Sequence, residues 1–335
     1  MIEINKTFFD YLYEELGAEY HKSPSAVECN LKNDMKKNLE YLGTYFPRSF
    51  VEAYYIYSNL FDNEDIFEKY NKKSVFKVLD IGSGTGGSLF GLIQVLMERF
   101  SGKEIKIISI EGNENAVDLQ VKIFQDLNKL IDYNNNMVNG TAHIMTFSNK
   151  DELDLKLSKL GIDGTIDIMQ SFKVVNEFYR IDYETNKGMY SQLLSLGNKW
   201  LRKSGILCVV DVTNKINNGE YASIMFNEEV KKYMCSEEPD LVYIIPKCCA
   251  VHYKNCTKGN TCFSKRTFKV HFGYRIDESK INCKVFIKPK LGIRVKKDII
   301  NNICKWYNDD LYTCYCKDIS DNCNCTKMFK EPYLL

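Results

Sequence analysis

Asp80 and the glycines that follow it, Gly82, Gly84, Gly86 and Gly87, are the densest cluster of chemistry-bearing residues in the first half of this 335-residue chain. They lie in the stretch K-V-L-D-I-G-S-G-T-G-G-S-L-F-G, Lys77 to Gly91. A strand-forming run leads into the aspartate, then a glycine-rich loop, then a helix-forming run. Such a loop lets backbone approach a nucleotide-like ligand closely. Gly82, Gly84 and Gly87 satisfy G-x-G-x-x-G, so glycine spacing alone admits a dinucleotide. A loop that binds nothing is the plainer alternative.

The aspartate separates these ligands. A pyrophosphate is held by backbone N–H groups and the positive end of a helix, and a carboxylate two residues before the first glycine sits badly beside it. That carboxylate suits a ligand with an ammonium group and no phosphate, such as S-adenosylmethionine. The next strand-like run, I-I-S-I-E-G, ends in Glu111, placed to accept hydrogen bonds from ribose hydroxyls. Further on, I-D-I-M-Q-S-F-K-V-V-N-E-F should deliver Gln170, Ser171 and Phe172 to a strand end beside the transferred group. Asn176 and Glu177 follow on the next turn as candidate catalytic residues, an acid on a solvated loop being the plainer role of Glu177. The N-P-P-Y or S-P-P-Y signature of DNA amino-methyltransferases is absent.

A second concentration of chemistry lies near the C-terminus. Of thirteen cysteines, eleven fall between Cys235 and Cys325. The odd count, together with an acidic, amphipathic N-terminal stretch unlike a signal peptide, points to reduced thiols and a cytoplasmic location. Cys249, Cys256 and Cys262, preceded by Cys248, crowd thiolates that repel unless a metal neutralises them. Their spacing is wider than C-x2-4-C, which leaves zinc and an iron–sulfur core both open. His252 is a reserve ligand. Cys314, Cys316, Cys323 and Cys325 form C-x-C-x6-C-x-C, a candidate second site or a disulfide-prone tail.

Charge is uneven as well. Lys247 to Lys305 holds 15 Lys/Arg against Asp277, Glu278 and Asp298, a local +12 in a chain whose total is +1. Lys265, Arg266, Lys269, Lys288, Lys290, Arg294 and Lys296 are candidate phosphate contacts, which makes RNA a candidate partner. Lysines that keep a strand edge from pairing are the plainer alternative. No apolar run approaches the roughly 18 residues of a membrane span.

Alternating patterns supply the elements that must position these residues. Residues 1–72 read as helices, with an aromatic stretch at 41–61 broken by Pro47. Strands are expected at 75–81, 105–111, 141–147, 165–171 and 205–212, with helices near 87–100, 114–131, 150–160, 185–203 and 220–234 between or after them. Such alternation predicts an α/β fold with a parallel sheet. Two further strands, 267–276 and 281–289, read as a hairpin around D-E-S-K, and a last helix near 297–307. The expected domains are a helical region (1–72), a Rossmann-like core (73–246) and a cysteine-rich basic segment (247–335).

With these motifs the chain resembles the class I S-adenosylmethionine-dependent methyltransferases over about residues 75–290. The resemblance implies Asp80, Gly82, Ser83, Gly84 and Gly86 around the methionine portion and Glu111 on the ribose. More narrowly, it resembles the methyltransferase-like proteins associated with the small ribosomal subunit. The features carrying this are Y-L-G-T-Y-F-P-R-S-F-V-E-A-Y-Y-I-Y, D-I-G-S-G-T-G-G, V-V-N-E-F and C-F-S-K-R. That family holds an iron–sulfur cluster, which implies Cys249, Cys256 and Cys262 as ligands with Cys304 as the fourth. The chain departs from it after the fifth strand, where D-V-T-N-K-I-N-N-G replaces an acid-Pro-Gly-Thr turn. It also lacks the prolines that follow the family's cysteines. A small-molecule methyltransferase and a non-catalytic ribosome-assembly factor are the alternatives.

Overall fold

Val75–Ile81 (β1), Glu104–Glu111 (β2) and Met137–Ile144 (β3) form parallel ladders in the order β3-β2-β1. Parallel neighbours need crossovers, supplied here by the helices Gly87–Arg99 (α5) and Glu114–Leu130 (α6). The register sets Asp80 opposite Ser109 and Glu111 opposite Ile144, so the loops after these strands leave from one carboxyl edge. The computed structural model describes residues 6–21, 30–130, 135–162, 164–216, 219–236, 241–245, 264–270, 275–289 and 333–334.

The helices before β1 are Lys6–Asp10 (α1), continued by a π-helical turn, then Met35–Thr44 (α2), Phe46–Phe61 (α3) and Glu64–Asn71 (α4). A 3-10 turn, Asn30–Lys32, precedes α2. Pro47 opens α3 rather than breaking a helix. In the first turn its missing N–H has no partner to lose. α3 packs on α5 at two bare positions. A Cβ on Gly87 would stand 2.6 Å from the Phe46 carbonyl oxygen, and one on Gly91 would strike the Phe50 carbonyl. Four-residue spacing puts both glycines on one helix face. Around the crossing, the buried rings of Phe8, Phe46, Phe50 and Phe90 lie 5.8–6.2 Å apart. Burying each such ring stabilises the fold by about 1.5–3 kcal/mol.

These elements belong to one compact unit, residues 1–146 with 267–279 and 331–335; residues 147–266 and 280–330 form another. The second unit contains Lys150–Lys159 (α7), Ile166–Phe172 (β4), Val175–Ile181 (α8), Tyr183–Asn186 (α9), Met189–Trp200 (α10), Leu201–Val212 (β5), Ala222–Met234 (α11) and Val242–Ile245 (β6). β4 runs parallel to β5, and all of its residues are buried, as in a parallel strand covered on both faces. β5 pairs antiparallel with residues 281–287 of Arg275–Ile287 (β8), which also pairs with β6. Ser264–Val270 (β7) and Tyr333–Leu334 (β9) complete the described strands.

The expected mixed α/β alternation is present. Three details differ. β3 begins and ends earlier than expected, at 137–144. The long helix expected at 185–203 is two helices, Tyr183–Asn186 and Met189–Trp200, because Gly188 at φ +96° opens α10 and Leu201 already starts β5. Early β5 bulges at Ser204, whose φ is +66°. D-E-S-K lies inside β8 and makes no turn; it holds no glycine or asparagine to supply the positive φ of a tight reversal. Cys249, Cys256, Cys262, Cys304 and the four tail cysteines lie outside the described residues. Among the described residues no helix is long and apolar enough to cross a membrane.

Candidate cofactor site

The glycine loop is closed by its own hydrogen bonds. Gly82 and Ser83 donate their backbone N–H groups to the Ile110 carbonyl at 2.8 and 3.1 Å, and Gly86 donates to Ser83 at 2.9 Å. Gly84 donates to Glu111 Oε2 at 2.7 Å. The N–H groups that would cradle a pyrophosphate at these four positions are already engaged. Positive φ at Gly82 (+69°), Gly84 (+56°) and Gly86 (+96°) makes this winding possible.

Two of these glycines serve different ends. A Cβ on Gly86 would meet the Phe90 ring at 2.7 and 2.9 Å, so Gly86 is a packing glycine. A Cβ on Gly84 would meet nothing within 4 Å. Gly84 therefore presents bare backbone to open space. Ser83, whose side chain is buried, is held from behind by Gln120 of α6. Gln120 Nε2 donates to Ser83 Oγ at 2.7 Å and to the Gly84 carbonyl at 2.5 Å, while its Oε1 accepts from Ser109 Oγ at 2.9 Å.

Glu111 ties the loop to the end of β2. Its Oε1 accepts from the backbone N–H groups of Gly112 (2.8 Å) and Asn113 (2.9 Å), beside the Gly84 bond to Oε2. Burial pushes its carboxyl above the ordinary glutamate value, while these three backbone donors pull it back down. A carboxylate has about four lone-pair sites, so one stays open on Oε2, enough for one ribose hydroxyl. Asp80 is fully buried at the end of β1. Two buried acids, engaged loop donors and an open face at Gly84 fit a phosphate-free nucleoside ligand such as S-adenosylmethionine.

The second unit holds the other predicted residues. Gln170, Ser171 and Phe172 are all buried at the end of β4, and Ser171 Oγ finds no hydrogen-bond partner among the described residues. Lys173 follows at φ +62°, unusual for a side chain of its size, with its N–H on the Val210 carbonyl at 2.7 Å. Asn176 faces inward. Its backbone N–H donates to Asp211 Oδ2 at 3.0 Å, and its Nδ2 donates to Asp211 Oδ1 and the Lys173 carbonyl, both at 2.7 Å. Glu177 is half-buried on the same turn. Asp211, at the end of β5, also accepts from Tyr190 O–H at 2.8 Å and from Val212 N–H at 2.7 Å. Burial raises the Asp211 carboxyl, against those donors, and drives the Tyr190 phenol far above its usual range. Asn176 thus braces the turn after β4.

No protein-family model matches the chain, and no curated protein matches it in sequence. Solved structures do align with it. A Pyrococcus horikoshii protein described as a candidate RNA methyltransferase is 12% identical over 87% of this chain and 98% of its own, with a TM-score of 0.38. The plantazolicin methyltransferase BpumL, solved with SAH, is 12% identical over 85% and 95%, again at 0.38. A SAM-dependent methyltransferase from Aquifex aeolicus is 16% identical over 69% and 91%, at 0.30. Scores of this size do not carry a functional assignment, so the reading below rests on the loop.

Sequence reading missed Gln120 and Asp211. For Gln120 a signal existed: it interrupts the buried stripe Ala116, Ile123 and Leu127 of α6, where an amide needs partners. In sequence Asp211 reads only as the start of the divergent turn after the fifth strand. Among the described cysteines Cys208 and Cys283 are buried, Cys235 is exposed, and all three are free thiols. The described residues contain no group of three or more metal-ligating side chains. Lys288, a candidate phosphate contact, directs its Nζ to the carbonyls of Asn198 and Leu201.

Proposed function

We propose that the chain is a methyltransferase that uses S-adenosylmethionine. The observation that carries this reading is the glycine loop. Its N–H groups at positions 82, 83, 84 and 86 are engaged internally and two buried acids flank it, which disfavours a dinucleotide, while Gly84 leaves an open face. When bound, the cofactor supplies an electrophilic methyl group. The chain's own part is to hold it: Gly84 gives room, Glu111 offers its remaining lone pair to the ribose, and Asp80 counters the ammonium charge. On sequence grounds Gln170, Ser171 and Phe172 are proposed as further cofactor contacts, and Asn176 and Glu177 as catalytic residues. The test is calorimetry with S-adenosylmethionine, S-adenosylhomocysteine and NAD. Micromolar binding of the first two is expected, weakened by Asp80→Asn; binding of NAD with indifference to both would overturn the reading.

The proposed acceptor is RNA of the small ribosomal subunit. Support comes from the resemblance and from the local +12, with Lys265, Arg266, Lys269, Lys290, Arg294 and Lys296 as the candidate phosphate contacts. Phosphate contacts release counterions, so affinity should fall steeply with salt. Binding that ignores salt would favour the small-molecule acceptor, which the divergent turn after β5 supports, or the assembly factor. A metal or iron–sulfur site on Cys249, Cys256, Cys262 and Cys304 is part of the same proposal; iron, sulfide and zinc analysis of anaerobically purified protein decides it.

A further inference from the structure

Beside Glu111, a turn from the N-terminal region is fastened in place by asparagine side chains. Asn113 Nδ2 donates to the carbonyls of Asn30 at 2.7 Å and Asn33 at 2.9 Å, and Asn115 Nδ2 donates to Asn33 at 3.2 Å. Asn38 of α2 completes the fastening, with its Nδ2 on Asn113 Oδ1 at 3.1 Å and on the Asn33 carbonyl at 3.2 Å. Asn113 and Asn38 are both 3% exposed. Asn113 Oδ1 also accepts the Ala116 N–H at the start of α6, and its own N–H is on Glu111. One buried amide thus links the acid, the helix start and the turn.

The turn holds Leu31 in an unusual position. Leu31 is 45% exposed, yet its Cδ2 lies so close to Gly112 that a Cβ there would collide with it. A leucine that only filled the core would be buried, and one on an idle loop would not be held by three asparagines. Here the chain presents an apolar side chain over the residue that follows the ribose-binding acid. Gly112 is the next residue along the chain and its N–H is on the same carboxylate, so a base attached to a ribose on Glu111 would have Gly112 and Leu31 within reach.

We propose that Leu31 is a cofactor-binding residue: it forms one apolar wall of the base subsite, with Gly112 left bare so that wall and base can approach. This rests on the cofactor reading above and adds to it a contact from outside the sheet. It also gives the Asn30–Asn33 turn a role in selecting a flat, apolar-faced base.

The experiment titrates S-adenosylhomocysteine into the full chain by calorimetry, with thermal melting of each variant alongside. Leu31→Ala should weaken binding about tenfold with no fall in melting temperature, since the side chain is half-exposed. Leu31→Met should bind within about twofold of wild type, restoring the apolar wall. Asn113→Ala should lower both affinity and melting temperature, because it releases the turn and the start of α6. Wild-type binding with an unchanged Leu31→Ala affinity would overturn the base-wall proposal and leave the cofactor reading standing. Wild-type protein that ignores S-adenosylhomocysteine would overturn both.

Discussion

Glu111 and Asp211 make an instructive pair. Each is a buried carboxylate at the carboxyl end of a parallel strand, raised above its ordinary pKa by burial and pulled back by several donors. Their partners differ. Glu111 is held by backbone N–H groups alone, from a loop whose Gly84 opens onto free space. Asp211 is held by two side chains, Asn176 and Tyr190, as well as by backbone, and Tyr190 in turn stacks on Phe226 at 4.2 Å. The first carboxylate shapes a surface; the second ties a knot. Burial and a raised pKa alone do not mark a binding site. What marks it is whether anything beyond the carboxylate's partners is left open.

The knot should break hardest. Asp211→Ala leaves the Tyr190 hydroxyl and two Asn176 donors without their acceptor in a buried site, and is expected to lower stability by about 3–5 kcal/mol in urea titration. A loss under 1 kcal/mol would show that the turn after β4 holds without it. Gly86→Ala comes next, at about 2–3 kcal/mol, since its Cβ must displace the Phe90 ring and the backbone sits at φ +96°.

Glu111→Gln removes one charged acceptor from three backbone donors and is expected to lower stability by about 1–2 kcal/mol. It should also weaken S-adenosylmethionine at least tenfold. Gly84→Ala is the smallest structural change, about 1 kcal/mol for its left-handed backbone, because its Cβ meets no atom. Binding should nevertheless fall tenfold or more. If Gly84→Ala binds the cofactor like wild type, the open face is not where the ligand lies, and the contrast between the two carboxylates loses its meaning.

Acid titration sharpens the contrast in another way. A carboxyl whose folded pKa is raised contributes stability that is fully present below its unfolded value and is lost as pH rises through the folded one. Relative to Asp211→Asn, wild type should therefore lose stability as pH rises from about 3.8, the ordinary aspartate value. Urea midpoints of both proteins across the acidic range check this. Parallel curves would mean that Asp211 titrates normally.

Most of the strand and helix pattern was legible in sequence because β1, β2, β4 and β5 are apolar runs bounded by acids and glycines. The loop's chemistry was legible too, since Asp80, the glycines and Glu111 lie close together along the chain. Three things were not. Gly87 read as part of the ligand loop but serves, with Gly91 of the same helix, a helix crossing, and only the position of α3 shows it. That Asn176, a candidate catalytic residue, also braces its turn could not be seen, because its partner Asp211 is 35 residues away. Leu31 sits in an unremarkable polar stretch, and its neighbourhood with Gly112 is a product of the three asparagines that fasten it.

The crossing of α3 on α5 has a consequence for how the chain is made. Phe46 and Phe50 find their bare landing faces only when Gly87 and Gly91 exist, about forty residues later in synthesis. At about 5–20 residues per second, an aromatic-rich helix that is mostly buried in the fold waits roughly two to eight seconds for its partner. During that interval α3 is a ready client for chaperones at the tunnel exit. Slowing translation after α3 has left the tunnel, while α5 is still inside it, should therefore raise aggregation of the nascent chain more than slowing it once both helices are out.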